Sequence, residues 1–514
     1  MTVEELLARD FGVLPELIRA HARERPNHPA LVEGDETLTY AELAALMDRI
    51  AFALQRDGVR AGDAVAICAR TSIRYGAAFC GILAAGAAVA LLAPSSTPAS
   101  LVMMLKDSGA KAFLIDRETA AALKETGYEE TARPVALDDG GFAEPFSGWL
   151  GPEGAAPANV EITPEQPFNI IYSSGTTGAP KGIVQPHRMR FGQFSRVSYQ
   201  GAVTIVSTPL YSNTTLVVFL PTLMHGGTAV LMAKFDAGQF LRLSEERRAT
   251  HAMLVPVQYR RIMERADFGR YDLSSYVLKL STSAPFPAAL KADVLRRWPG
   301  GLVEFYGMTE GGGATMLVAH EFPDKLHTVG QPMPGHDIRL IDEAGQEAEG
   351  GRVGEVVGRS PAMMTGYHNL PERTREAEWR DAEGRRYIRT GDIGRFDEDG
   401  FLILLDRSKD VIISGGFNIY PSDIEAELMR HGAVLEAAVV GAASERWGET
   451  PVAFVALRDG AAIDAPALMA WVNARLGKTQ RLSGLTIVGS LPRSPIGKVL
   501  KRELRDRHAP ALGA

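Results

Sequence analysis

Cysteine is nearly absent: Cys68 and Cys80 are the only two in 514 residues. Two thiols exclude a disulfide framework, and their apolar surroundings argue against a zinc cluster. They read as buried free thiols in a reducing, cytoplasmic setting. A surplus of positive charge is also lacking, with 55 Lys and Arg against 62 Asp and Glu and a net charge of −7. Nucleic acid is therefore not an expected partner. No internal repeat or low-complexity tract is present. Residues 1–25 carry scattered acids and bases rather than an unbroken apolar core, so no secretory signal is expected. Residues 76–94 contain no charge, and the stretch nearly has the length of a bilayer span. It is dominated by Ala and Gly, which carry little hydrophobic driving force. A buried helix over 74–85, turning at Gly86 into a buried strand over 87–92, is expected there, and no membrane span.

What is present is an ordinary globular composition, 46% hydrophobic and 23% charged, with 52 Gly and 30 Pro for turns and glycine-lined sites. The length suits roughly two to four units of ~100–200 residues each. From about residue 38 to 357, helical patterns alternate with short apolar runs. Examples are Ala64-Val-Ala-Ile-Cys68, Ala112-Phe-Leu-Ile115, Phe168-Asn-Ile-Ile-Tyr172, Ala229-Val-Leu-Met232 and Val303-Glu-Phe-Tyr306. Buried parallel strands joined by helices give this pattern, so the class is α/β, with layered sheets and helices on their faces. The character changes after Asp397-Glu-Asp-Gly400, a turn signal ahead of Phe401-Leu-Ile-Leu-Leu405. The charged connector Asp406-Arg-Ser-Lys-Asp410 follows. Beyond it, helices are expected over 421–430 and 465–476, strands over 437–441 and 452–457, then a basic segment. The expected division is a large domain at 1–406 and a small α+β domain at 407–514.

The most distinctive tract is Ser173-Ser-Gly-Thr-Thr-Gly-Ala-Pro-Lys-Gly182, directly after an apolar run. Its three glycines permit φ > 0 and let backbone amides approach an anion. Its four hydroxyls add donors, and Lys181 adds a cation. A triphosphate needs this combination. The tract is not a Walker motif, because Gly178 is followed by Ala-Pro-Lys, and it is not a dinucleotide fingerprint. A plain surface loop is the bland alternative, and the crowding of glycine, hydroxyl and lysine argues against it.

This tract resembles the phosphate loop of the adenylate-forming enzymes: acyl- and aryl-CoA ligases, peptide-synthetase adenylation domains and beetle luciferases. Further motifs follow in that family's order over nearly the whole chain. The chain is most like a stand-alone bacterial acyl- or aryl-CoA ligase. Glu304-Phe-Tyr-Gly-Met-Thr-Glu310 offers a flat ring in Tyr306, a phosphate hydrogen-bond donor in Thr309 and a hard oxygen ligand in Glu310. The resemblance gives them, with Gly307, to the adenine, the α-phosphate and Mg²⁺. It gives Ser173, Ser174, Gly175, Thr176, Thr177, Gly178 and Lys181 to the ATP phosphates. It places Ser283, Ala284 and Pro285 near the adenine. Asp392 of Tyr387-Ile-Arg-Thr-Gly-Asp-Ile-Gly394 is assigned to the ribose, with Arg407 near it. Taken alone, Asp392 would read as a turn-capping residue, and Glu310 as a helix cap. Lys409 falls at the family's hinge, and Ser414, Gly415 and Gly416 at the strip that meets the pantetheine of coenzyme A. Lys498, in Pro492-Arg-Ser-Pro-Ile-Gly-Lys498, matches the catalytic lysine; by itself it would be a surface lysine. A homodimer is an expectation by analogy only.

The resemblance implies two half-reactions: carboxylate attack on the α-phosphorus of Mg·ATP, then attack of a thiol on the acyl-adenylate. It also implies a domain rotation about Lys409 between them. The acid region departs from the common pattern. Ser212 stands where many relatives carry His, in Pro209-Leu-Tyr-Ser-Asn-Thr214. Thr282 stands where many carry Gly. Tyr211 and Met308 are expected as apolar walls, Asn213 lies beside them, and Gly311 and Gly312 are expected to open space. No basic residue is evident for a second carboxylate, so an aromatic or medium-chain monocarboxylic acid is expected. A CoA ligase is favoured. A ligase loading a carrier protein, an oxygenase of the luciferase kind and a non-catalytic binding protein are the alternatives. The joint presence of Lys181, Glu310, Asp392 and Lys498 argues against the last.

Overall fold

In the computed structural model the charge-free run forms the helix Ile73–Ala84 and the strand Ala88–Leu91, joined through Gly86 at φ +80°. Ser72 caps the helix by accepting from the Tyr75 amide. Every residue of this helix except Arg74 is buried, as a helix apolar on all sides must be. The structure describes the chain apart from residues 125–132, 141–142, 174–179, 196, 198, 349–351, 415–416, 445, 495–496 and 509–514. Among the described residues no helix is long and apolar enough to cross a membrane. Both thiols are buried and free, and burial pushes Cys80 up to about 12.

Contacts divide the chain into two compact units. The first comprises Met1–Leu326, Pro332–Asp337 and Gly358–Ile388, and the second His327–Gln331, Ile338–Val357 and Arg389–Ala514. The edge falls inside the strand Arg386–Phe396, and residue 406 is an edge of neither unit. The reason is a ladder. Asp392 pairs with Arg407 and Phe396 with Leu402, so residues on both sides of the charged connector belong to the second unit.

The first unit is layered, as the alternating pattern implied. One sheet runs through Lys181–Pro186, Pro167–Ser173, Ala88–Leu91, Ala64–Cys68, Ala112–Ile115 and Arg133–Ala136 as successive neighbours. Only the first of these pairings is antiparallel. A second sheet runs through Thr228–Leu231, Val203–Val206, His251–Leu254, Leu278–Ser281 and Gly301–Tyr306, all in parallel. One buried core joins Val65 and Leu91 of the first sheet to Leu231 of the second, through the helices Tyr40–Arg56, Ile73–Ala84 and Asn213–Met224. Phe79 sits 5.8 Å from Phe168 and 6.3 Å from Phe219, ring centre to ring centre. The helix Tyr40–Arg56 begins with a capping box in which Thr39 and Glu42 satisfy each other's backbone amides.

A buried ion pair locks the strand that leads into the Tyr306–Glu310 segment. Lys291, on the helix Ala288–Arg297, pairs with Glu304 on the strand Gly301–Tyr306. Lys291 is 1% exposed and Glu304 3%. Lys291 also donates to the Leu326 carbonyl at 2.9 Å. Burial pushes the Glu304 carboxyl up to about 7, against the pull of Lys291.

In the second unit Val434–Ser444 and Gly448–Leu457 form a long antiparallel ladder. Gly484–Val488 adds to it in parallel and Ile412–Ser414 antiparallel. Its strand residues alternate between faces. Val439 packs with Ile424, Leu428, Leu468 and Val472 of two helices, whereas Ala438 and Val440 pack with Leu491 and Leu504. The basic tail expected from sequence begins with the helix Lys501–His508.

Candidate nucleotide and acid site

The Gly-rich tract joins two antiparallel strands. Strand Pro167–Ser173 leads in and Lys181–Pro186 returns, with Tyr172 opposite Gly182 and Ser173 opposite Lys181. Ser174, Gly175, Thr176, Thr177 and Gly178 lie outside the described residues, as do Gly415 and Gly416. The two ends of the hairpin are held from three sides. The Tyr172 hydroxyl donates to Asp107 Oδ2 at 2.7 Å. Asn369 Nδ2 donates to the Asp107 carbonyl at 3.1 Å. The His368 amide donates to the Gly182 carbonyl at 2.7 Å. The Lys181 ammonium lies over the Tyr367 ring, 5.1 Å from its centre. The hydroxyl of that same tyrosine donates to Glu310 Oε1 at 2.9 Å. Tyr367 therefore brings together a cation and a carboxylate that sequence had assigned to the phosphates and the metal.

Tyr306 ends its strand opposite Thr315. The turn after it is tied down through its backbone. Gln185 Nε2 donates to the Thr309 carbonyl at 2.6 Å, and the Met364 amide to the Glu310 carbonyl at 2.8 Å. Gly307 is exposed, and Met308, Thr309 and Glu310 are half-buried. No cluster of three or more His, Cys, Asp or Glu residues suited to a metal exists among the described residues. A single half-buried carboxylate, oriented by Tyr367, is a hard oxygen donor of the kind that would suit a Mg²⁺.

Gly311 and Gly312 do a different job from the one expected. Both have positive φ, +77° and +82°. A Cβ at Gly311 would overlap the Ala362 carbonyl, and one at Gly312 would press on the Gly358 carbonyl. They permit close backbone packing and a left-handed turn rather than opening space for an acid.

Ser212 is the N-cap of the helix Asn213–Met224 and accepts from the Thr214 amide at 3.3 Å. The hydroxyls of Thr214 and Ser283 are hydrogen-bonded at 2.6 Å. Ser283 has φ +80°, a strained conformation for a residue with a side chain. Thr282 and Ala284 beside it are half-buried and Pro285 is exposed. Tyr211 packs against the main core, and Met308 against the buried cluster of Ile183, Met364 and Ile388. One basic residue was missed. Arg190 is buried and donates to Asn213 Oδ1 at 2.8 Å. Its neighbour Arg188 is exposed. Nothing in His187-Arg-Met-Arg190 says which arginine turns inward. Tyr367 and Asp107 had no signal in the sequence either, because strand pairing and helix packing bring them to the hairpin.

In the second unit, Arg407 Nε lies 3.2 Å from Asp392 Oδ1. Asp392 follows Gly391 at φ +70°, and its amide donates to Thr390 Oγ1 at 3.0 Å. Lys409 sits in the single 3₁₀ turn Ser408–Asp410. Burial and the nearby Arg407 pull its pKa down. The turn is flanked by fixed points: Asp406 accepts from the Ser422 amide at 3.0 Å, and Asp410 pairs with Arg505. Ser414 pairs with Phe417 and Gly448 across neighbouring strands. Lys498 is exposed and follows Gly497 at φ +80°. Its amide donates to Ser494 Oγ at 3.1 Å, and its carbonyl accepts from the Ser494 amide at 2.8 Å.

A family model described as AMP-binding enzyme matches residues 18–368, and one described as AMP-binding enzyme C-terminal domain matches residues 423–498. The chain is similar to a feruloyl-CoA synthase of an Amycolatopsis species, 34% identical over 498 residues that cover 95% of this chain and 97% of that protein. It is similar to the fatty acid–[acyl-carrier-protein] ligase ScoC of Streptomyces coeruleorubidus, 31% identical over 501 residues that cover 95% of each. Among solved structures, the amide bond synthetase McbA from Marinactinospora thermotolerans matches with a TM-score of 0.85 at 28% identity, covering 97% of this chain and 100% of that one.

Proposed function

The chain belongs to the AMP-binding enzymes, and on that premise we propose that it is an ATP-dependent acid–thiol ligase acting through an acyl-adenylate. The observation that carries this is the grouping of Lys181, Tyr367 and Glu310 at the ends of the Gly-rich hairpin. In the first half-reaction a carboxylate oxygen of the acid attacks the α-phosphorus of ATP, and the bond to the β-phosphate oxygen breaks to release pyrophosphate. Lys181 binds phosphate oxygens, with hairpin amides beside it. Tyr306 stacks on the adenine, with Gly307, Ser283, Ala284 and Pro285 around it. Asp392 accepts from the ribose hydroxyls, with Arg407 alongside. The Thr309 hydroxyl donates to the α-phosphate. Glu310 would hold a Mg²⁺, which would supply neutralisation of phosphate charge. Lys498 supplies the cation that bridges the carboxylate and the α-phosphate as charge moves between them.

In the second half-reaction the thiolate of coenzyme A attacks the acyl carbon, the acyl–oxygen bond breaks, and AMP leaves. Ser414, Gly415 and Gly416 border the pantetheine arm, and Lys409 is the pivot between a large domain at 1–406 and a small one at 407–514. The acid is an aromatic or medium-chain monocarboxylate. The likeness to a carrier-protein ligase supports a second reading in which the acceptor thiol belongs to an acyl-carrier protein. Pyrophosphate release with ferulate, 4-coumarate and octanoate, each with and without coenzyme A, tests these readings. Release with at least one acid, and one coenzyme A consumed per pyrophosphate, is the expected result. Release without consumption moves the acceptor to a carrier protein, and no release with any acid overturns the ligase.

A further inference from the structure

Arg190 lies on the helix His187–Phe194 and is 2% exposed. A guanidinium removed from water is costly unless its donors are met. Here side-chain amides meet them. Nε donates to Asn169 Oδ1 at 3.1 Å and Nη1 to Gln193 Oε1 at 3.5 Å. Nη2 donates to Gln185 Oε1 and, at 2.8 Å, to Asn213 Oδ1. No carboxylate pairs with it among the described residues. Burial lowers its pKa to about 9, so it stays protonated at neutral pH.

A guanidinium only donates, so every amide atom it touches is an oxygen. The rest of the network agrees with that assignment. Asn169 Nδ2 donates to Gln185 Oε1 at 2.9 Å, and Gln185 Nε2 to the Thr309 carbonyl at 2.6 Å. One cation thus ties both hairpin strands and the Thr309 turn to the first residue of the helix Asn213–Met224. With its oxygen held by Arg190, Asn213 must aim its Nδ2 donors elsewhere. Among the described residues no protein acceptor receives them. Asn213 is half-buried and flanked by Ser212 and by the Thr214–Ser283 bond. A donor of fixed direction, unused by the protein, stands in the segment that the ligase reading gives to the acid.

We propose that Asn213, oriented by Arg190, is a specificity-determining residue whose amide donates to an oxygen acceptor on the tail of the acid, so that oxygen-substituted aromatic acids are selected over plain aryl or alkyl acids. This rests on the ligase reading above and names its substrate class. Arg190 is the positioning residue. An acid without the acceptor leaves a partly buried donor unpaired, which should lower kcat/KM about tenfold.

The test compares kcat/KM for pyrophosphate release with 3,4-dimethoxycinnamate, whose ring oxygens only accept, and with cinnamate. The parent is expected to favour the dimethoxy acid about tenfold or more. Asn213→Asp keeps an oxygen for Arg190 and replaces the donor with an acceptor, so the ratio should fall to about one. Arg190→Met releases the amide and should lower the ratio as well. If Arg190→Met is not recovered folded, Asn213→Asp decides alone. A parent that favours cinnamate or octanoate overturns the inference, and so does an Asn213→Asp enzyme that keeps the parent's ratio. These outcomes leave the ligase standing, whereas no release with any of these acids removes both.

Discussion

Lys498→Ala is expected to slow adenylate formation by about 10²–10³-fold, the usual loss when one preorganised charge aimed at developing negative charge is removed. The substitution should leave the backbone in place, because other residues hold it. Arg493 Nη1 donates to the Gly497 carbonyl at 2.6 Å and Nη2 pairs with Glu436 at 2.8 Å. Ser494 bonds the Lys498 amide and carbonyl. Gly497, at φ +80°, makes a turn that a side chain would strain. The loss is therefore one of charge. Thioester formation from a preformed acyl-adenylate and coenzyme A does not need that charge and should be largely spared. Rapid-quench measurement of each half-reaction checks this. An equal loss in both would contradict the assignment of Lys498 to the first half alone, and with it the exchange of faces about Lys409.

Lys291→Met is expected to destabilise the fold by about 3–5 kcal/mol at pH 8, the cost of stranding one member of a buried ion pair. Glu304 is the stranded member. Its folded-state pKa is already raised by burial to about 7 and would rise further without Lys291. A carboxyl with a raised folded pKa prefers the protonated form, so the folded state binds more protons than the unfolded state above about pH 4.5. Stability of the variant therefore falls as pH rises through that window and recovers on acidification. Thermal unfolding at pH 5 and pH 8 reads this directly. The deficit should shrink at pH 5, and Lys291→Met/Glu304→Gln should recover most of it at pH 8. A deficit independent of pH would mean that lost packing of the lysine stem, not charge, accounts for the effect. Activity should suffer as well, because Glu304 lies on the strand that carries Tyr306.

Period and composition made most of the first unit legible. The runs at Ala64–Cys68 and Ala112–Ile115 are strands at those bounds, since a strand buried on both faces has to be an unbroken apolar run. The helix and strand around Gly86 were readable because an Ala-rich, charge-free helix can only be buried. The unit edge was not readable from composition. The charged connector at 406–410 is where sequence puts the hinge, whereas the contact units divide inside the strand Arg386–Phe396, because the ladder between Asp392 and Arg407 is a pairing of distant residues that leaves no local mark. The site divides the same way. Residues in contiguous motifs, such as Thr309 and Glu310, could be named. Tyr367, Asp107 and Arg190 could not, because each reaches the site through tertiary packing from a segment that looks ordinary. Gly311 and Gly312 show the converse. Glycine in sequence says that a side chain is unwelcome, but not whether ligand or backbone fills the space.

The central claim is that the acid's own oxygen attacks the α-phosphorus of ATP. Turnover of an acid carrying ¹⁸O in both carboxylate positions, with ATP and coenzyme A, tests it by mass spectrometry of the products. One ¹⁸O in AMP, with the other in the thioester and none in pyrophosphate, is the expected result. AMP without the label, or ADP and phosphate in place of AMP and pyrophosphate, would contradict it.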